Sequence, residues 1–227
     1  MPYGLSSVAS KYVSLADATR VADLAFAAWN SAPCIGGSPT VQAYDIGPLD
    51  VAPDSGDCTT SSTCNAVTHD IIVFRDSGWP YDDPVNTLAL TTVTYGVNDG
   101  EIFEAYTEVN TAQHAVTAEE PPTGGAFDLQ AILTHEAGHF LGLAHATDTH
   151  SIMYAFYQAG AINLTPDDVD AICTAYEPTP SGGSCASTPA EGAVFRLGFG
   201  ALFGLGFGAF ALGRRLTRRR PLARQKS

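Results

Sequence analysis

Residues 135–145 read HEAGHFLGLAH. His135 and His139 are four residues apart, so on a helix their imidazoles project from one face and can share one Zn2+. Glu136 lies beside them, too far round the helix to be a ligand but placed to hold a metal-activated water. Gly142 lacks a Cβ, so the chain can leave the helix in a sharp turn there. That turn brings His145 toward the same metal from another direction. Three neutral imidazoles leave a fourth position open for water, the arrangement of a catalytic rather than a structural zinc site. Two surface histidines and a third in a loop would be the bland alternative, but it makes coincidences of the glutamate and the glycine.

The helix carrying the motif starts near Asp128, an N-cap after Gly124-Gly125, and runs to Leu141. Leu129, Leu133, Ala137 and Phe140 share its core face. Upstream, residues 15–30 place Leu15, Ala18, Val21, Ala22, Ala25, Phe26 and Trp29 at helical spacing. Downstream, Thr165-Pro166-Asp167-Asp168 opens a third helix, with a capping Thr, Pro at the first position and an acidic third position. Between the helices lie β-type runs at 40–46, 69–74, 87–96 and 101–109, the last two joined at Asn98-Asp99-Gly100, a hairpin signal. Strands between helices predict an α/β or α+β domain over residues 1–178, and the resemblance given below selects α+β.

Beyond His145 the chain continues ATDTHSIMYAFY, with Met153 eight residues after the third histidine. HEAGHFLGLAH followed by this run resembles the metzincin zinc signature HExxHxxGxxH and its Met-turn. His145, Asp148, Met153, Tyr154 and Tyr157 look like the matrixin version of that run. LTPDDVDAICTAYE (164–177) resembles the matrixin C-terminal helix with its Asp167 and Asp168 pair. Astacin- and serralysin-like enzymes carry a Tyr two residues after the Met, where this chain has Ala155, so the matrixin branch is favoured. The resemblance covers most of residues 3–177. It implies a zincin-like catalytic domain: a mixed twisted sheet packed with an N-terminal helix and an active-site helix, then a Met-turn and a C-terminal helix.

The resemblance also implies an activity, zinc-dependent endopeptidase. His135, His139 and His145 would hold one catalytic Zn2+, Glu136 would serve as general base toward the zinc-bound water, and Met153 would form the Met-turn. A protein or peptide substrate would lie extended on an edge strand, read as 101–109, with Ala155, Phe156, Tyr157 and on to Asn163 shaping a pocket for a small-to-medium apolar side chain. The rival is a non-catalytic surface binding module stapled by zinc, and Glu136 argues against it. A metal-dependent hydrolase acting on something other than peptides fits the same ligands, and only the resemblance weighs against it. His69 with Asp70, and His114, do not match the spacing of the structural zinc that many matrixins carry, so one zinc is expected. His69, His114 and His150 read as exposed polar residues. Loops in this family often bind Ca2+, and Asp45, Asp50, Asp54, Asp57, Asp76, Asp82 and Asp83 offer acidic loops here. No EF-hand spacing supports calcium, and a solvated acidic face is preferred.

Composition agrees with a folded domain: 227 residues, 45% apolar, 15% charged, with a formal charge of −13. Up to residue 190 there are three basic residues (Lys11, Arg20, Arg75) against 23 acidic, a net of −20, and from 191 eight basic against one acidic, a net of +7. So acidic a domain repels phosphate backbones, which excludes nucleic-acid binding; a monomer is expected. None of the five cysteines forms a CxxC pair. Cys58 and Cys64 flank a short polar stretch that a local disulfide could close, and Cys34 and Cys173, each read as following a helix, could tie the domain's ends. Four cysteines allow three pairings. Two disulfides would suit an exported chain. No signal peptide is read at the N-terminus, so export implies a leader already lost.

Residues 179–192 form a Pro/Gly/Ser linker containing Cys185. Residues 193–213 include a run of 17 uncharged, mostly apolar residues from 197, short for a membrane span but near the lower limit. Arg214, Arg215, Arg218, Arg219 and Arg220 follow, and the positive-inside rule makes 214–227 a cytoplasmic tail with the protease outside. Gly200, Gly204 and Gly208 form a small-residue stripe that could pack helix to helix. Cysteine, apolar span and Arg cluster together resemble the C-terminal sorting tails of bacterial, particularly myxobacterial, surface proteins. In that reading Cys185 marks a processing or lipid-attachment point, while a plain membrane anchor is the other reading. The expected location is secreted or at the cell surface.

Overall fold

The computed structural model describes residues 1–51 and 70–178, all within one compact unit. The expectations for Cys58, Cys64, Cys185, His69, Asp54, Asp57, the linker, the apolar segment and the basic tail lie outside the described residues.

Helix α1 (Leu15–Asn30) begins where Ser14 caps it, its hydroxyl accepting from Asp17 N–H at 3.1 Å. It buries Ala18, Val21, Ala22, Ala25, Phe26 and Trp29, the face given by its apolar spacing. That face meets α2 (Leu129–Phe140): Phe26 sits edge-on to Phe140 at 5.1 Å, and Trp29 Nε1 donates to the Thr134 carbonyl at 2.8 Å. Trp29 is fully buried, so truncation to Ala would cost about 3–5 kcal/mol.

The sheet contains β1 (Pro2–Leu5), β2 (Tyr44–Asp45), β3 (Ile71–Phe74), β4 (Ala89–Tyr95) and β5 (Ile102–Val109), in the order β2-β1-β3-β5-β4. All neighbours are parallel except β4 and β5, which form an antiparallel hairpin. β3 is apolar throughout and every residue is buried, as a strand covered on both faces requires. The hairpin turns at Gly100, which takes φ +75°. A short parallel pair, β6 (Val116–Thr117) with β7 (Phe127–Asp128), leads into α2. Helix α3 (Pro166–Ala175) opens with the expected capping box between Thr165 and Asp168.

Several expectations need correction. Among the described residues the edge strand beside the site is β4, because β5 pairs on both sides, with β3 and with β4. The run at 40–46 yields only Tyr44–Asp45 as strand, because the Asn30 side chain holds Ala43 by both its N–H (2.8 Å) and its carbonyl (2.7 Å). β1 has too short and Gly-broken a pattern to read as a strand, yet it is needed where two neighbours meet. A Cβ at Gly4 would stand 2.7 Å from the Gly47 carbonyl oxygen. His114 is half-buried rather than exposed, its Nε2 3.0 Å from the Pro84 carbonyl and its ring edge-on to Phe127. Cys173 lies inside α3, not after it. Among the described residues no helix is long and apolar enough to cross a membrane.

Candidate metal centre

Helix α2 aims the histidines. Asp128 caps its start, accepting from Gln130 N–H at 2.9 Å and Ala131 N–H at 3.2 Å. At its end Gly142 turns with φ +84°, its N–H bonds the His139 carbonyl at 2.8 Å, and Leu143 N–H bonds the Gly138 carbonyl at 3.0 Å. This is a Schellman closure, which needs a residue free to adopt the left-handed region. The chain then doubles back and presents His145 to the helix. Ring centroids of His139 and His145 are 4.7 Å apart, those of His135 and His139 4.7 Å, and those of His135 and His145 5.3 Å. One ring nitrogen from each histidine lies within 4.8 Å of the others. Among the described residues this is the one such group of three or more His, Cys, Asp or Glu side chains; Asp45, Asp50, Asp76, Asp82 and Asp83 do not converge in this way.

Backbone carbonyls choose the tautomers. His135 Nδ1 lies 2.6 Å from the Ile152 carbonyl and His139 Nδ1 2.8 Å from the Leu143 carbonyl. A carbonyl only accepts, so both Nδ1 atoms carry the proton and both Nε2 lone pairs point inward. The Nε2 atoms of His135, His139 and His145 are all buried with no hydrogen-bond partner. Three converging, partnerless acceptors fit a zinc ion with an open fourth position. Burial holds His139 below the ordinary imidazole range. Burial, and then the neighbouring imidazoles of His139 and His135, pull His145 down to about 4. Both are therefore neutral at pH 7, the state in which an imidazole can ligate a metal.

Glu136 follows His135 and is 2% exposed. Its Oε2 accepts a hydrogen bond from Thr91 Oγ1 on β4 at 2.6 Å. Sequence reasoning did not single out Thr91. In a strand, Thr reads as a β-former, and only the packing of β4 on α2 makes it a partner of the glutamate. Glu136 and His135 both line a cavity of about 100 Å3 whose walls include Leu88, Ala131, Ile132, Ile152, Tyr154, Ala155 and Tyr157. Tyr157 is fixed at this wall because its hydroxyl accepts from Asp128 N–H at 2.9 Å.

Met153 is held from α3. Asp168, 1% exposed, accepts from the Ser151 hydroxyl (2.5 Å), Ile152 N–H (2.9 Å) and Met153 N–H (3.3 Å), and from Thr165 N–H (2.8 Å) and hydroxyl (2.7 Å). Burial alone would raise this carboxyl, but these donors outweigh it and hold the group below the usual carboxylate range. A disulfide joins Cys173 in α3 to Cys34 after α1, across 139 residues.

Residues 69–177, a little under half the chain, match the matrixin family model. Over 104 residues the chain is 34% identical to Metalloendoproteinase 1 of Glycine max, covering 45% of this chain and 32% of that one. It is 32% identical over 112 residues to a probable matrix metalloproteinase of Invertebrate iridescent virus 3 (49% and 29%). Interstitial collagenase of Bos taurus is 43% identical over 54 residues (23% and 12%). The matched part thus spans about a third or less of each relative's length. Residues 69–177 are thus similar to a matrixin domain, and the mixed sheet and helices above are consistent with a metzincin catalytic domain.

Proposed function

We propose that this chain is an exported, zinc-dependent endopeptidase in which His135, His139 and His145 hold the metal and Glu136 is the general base. The observation that carries the reading is the set of three buried, partnerless Nε2 atoms beside a buried carboxylate that lines a cavity. Zinc at such a site supplies a Lewis acid that acidifies water and polarises a carbonyl. Glu136 takes the water's proton and delivers it to the leaving amine. The substrate's main chain adds to the edge of β4 away from β5, and β4 lies against α2. Its side chain after the scissile bond enters the cavity, whose size and apolar walls suit a small-to-medium apolar group. Met153 forms the Met-turn that supports the histidines.

The competing reading, a binding module stapled by zinc, leaves Glu136 and the cavity without a role. Export is supported by the Cys34–Cys173 disulfide, since such bonds persist in oxidising compartments. We assign the apolar segment 197–213 and Cys185 to surface attachment or tail processing, on sequence grounds. Calcium in the acidic loops is not part of the proposed mechanism.

The test is chelation. The purified chain with zinc should cleave an unstructured protein such as casein, lose cleavage in 1,10-phenanthroline and regain it with added zinc. A folded, zinc-loaded chain that cuts neither casein nor a peptide library would favour the binding module.

A further inference from the structure

Glu136 is gripped from the sheet as well as carried by its helix. Thr91 Oγ1 lies 2.6 Å from Glu136 Oε2 and 2.8 Å from Thr107 Oγ1. Thr91 and Thr107 are each 1% exposed. They are direct partners in the β4–β5 ladder, so their hydroxyls meet across the strands. A hydroxyl has one proton to donate and a carboxylate only accepts. Thr91 therefore gives its proton to Glu136, and Thr107 in turn donates to Thr91. The result is a one-way chain running from β5 through β4 to the glutamate.

We infer that Thr91, backed by Thr107, is the positioning residue for Glu136. The grip occupies Oε2, which leaves the other oxygen of a carboxylate that also lines the cavity beside His135 to meet water there. Glutamate has three side-chain torsions, and a free carboxylate would spend much of its time out of line. The two hydroxyls fix the torsions before substrate arrives, and misplacement by about 1 Å costs on the order of 100-fold in rate. Neither threonine is assigned contact with the substrate, so their effect passes through Glu136. The inference rests on reading Glu136 as the base.

The test uses the full chain with zinc and the variants T91V, T91S, T107V and E136A. T91V is nearly isosteric and removes only the hydroxyl. It should lower kcat about 10- to 100-fold while KM and zinc content stay at the parent's values. T91S should recover kcat to within about threefold of the parent, because the donor returns. T107V should lower kcat by about threefold, since Thr91 loses the donor that polarises it. A crystal structure of metal-free T91V should show the Glu136 carboxylate displaced from its place against β4, a readout independent of turnover. The inference is overturned if T91V keeps the parent kcat, if T91S is no better than T91V, or if the carboxylate stays in place. Should T91V not fold, T107V and T91S decide by the same criteria: parent kcat in T107V or a large loss in T91S overturns it. Parent-level activity in E136A would refute the base assignment instead, whatever the threonine variants do.

Discussion

Gly138 and Met153 are in contact so close that a Cβ on the glycine would stand 2.2 Å from the methionine sulfur and 2.8 Å from the Trp29 ring. The glycine inside HEAGH is thus a packing requirement, set by the turn after the third histidine and by α1 at once. The Gly138→Ala variant must displace a buried methionine or a buried tryptophan, at a cost of about 1–3 kcal/mol. Thermal unfolding should show a lowered Tm, and a zinc titration a weakened site. A variant with the parent's Tm would mean that Met153 does not pack here.

Asp168 gathers the Ser151–Met153 turn onto α3, and its charge should matter in a defined pH window. The Asp168→Asn variant keeps the size but gives up the charged acceptor, which should cost about 2–3 kcal/mol at pH 7. The folded carboxyl sits below its ordinary value. Its contribution is therefore complete above the unfolded value of about 3.9 and is lost as pH falls through the lower folded value. Urea unfolding of the two chains should show a constant gap from pH 7 to 5 that narrows below pH 4. A gap that instead grows on acidification would contradict the assignment.

The imidazoles act in the same direction at higher pH. His139 and His145 lie below the ordinary imidazole value of about 6.5, His145 at about 4, so the unfolded chain takes up protons that the folded, metal-free chain refuses. Stability of the metal-free chain must then fall as pH drops from about 6.5 toward 4, and His145→Asn should flatten that slope. Unfolding curves recorded in chelator across this range check the point; an identical slope in the variant would remove His145 as a cause.

Cys34–Cys173 ties the loop after α1 to the helix that carries Asp168, so reduction should reach the metal centre through α3. Replacing both cysteines with Ser should cost about 2–4 kcal/mol of stability and should weaken zinc retention more than a destabilising change outside α3, such as Tyr3→Phe in β1, which removes the hydroxyl bonded to Asp23. Equal zinc retention in the two variants at matched Tm would separate the disulfide from the site.

Particular residues show what the sequence could and could not reveal. Helical spacing marked the buried face of α1, and the Thr165–Asp168 pattern marked the start of α3, because both signals are local and lie within a turn of the residues they act on. The three histidines were legible for the same reason, with Gly142 supplying the reversal that joins them. Thr91, by contrast, looks like any strand threonine, and its partner is 45 residues away on a helix. Asp168 was legible as a cap but not as the clamp on Ser151–Met153, since one carboxylate performs both tasks. The edge strand was misassigned because alternation marks a strand without saying which of its edges is paired.

The central claim is that Glu136 is the base of a zinc peptidase, and the most direct measurement compares casein cleavage by the full chain with cleavage by its Glu136→Ala variant, each shown to hold one zinc. The account predicts cleavage by the parent and a loss of about 10²–10⁴-fold in the variant. Equal cleavage by two zinc-loaded chains would contradict it.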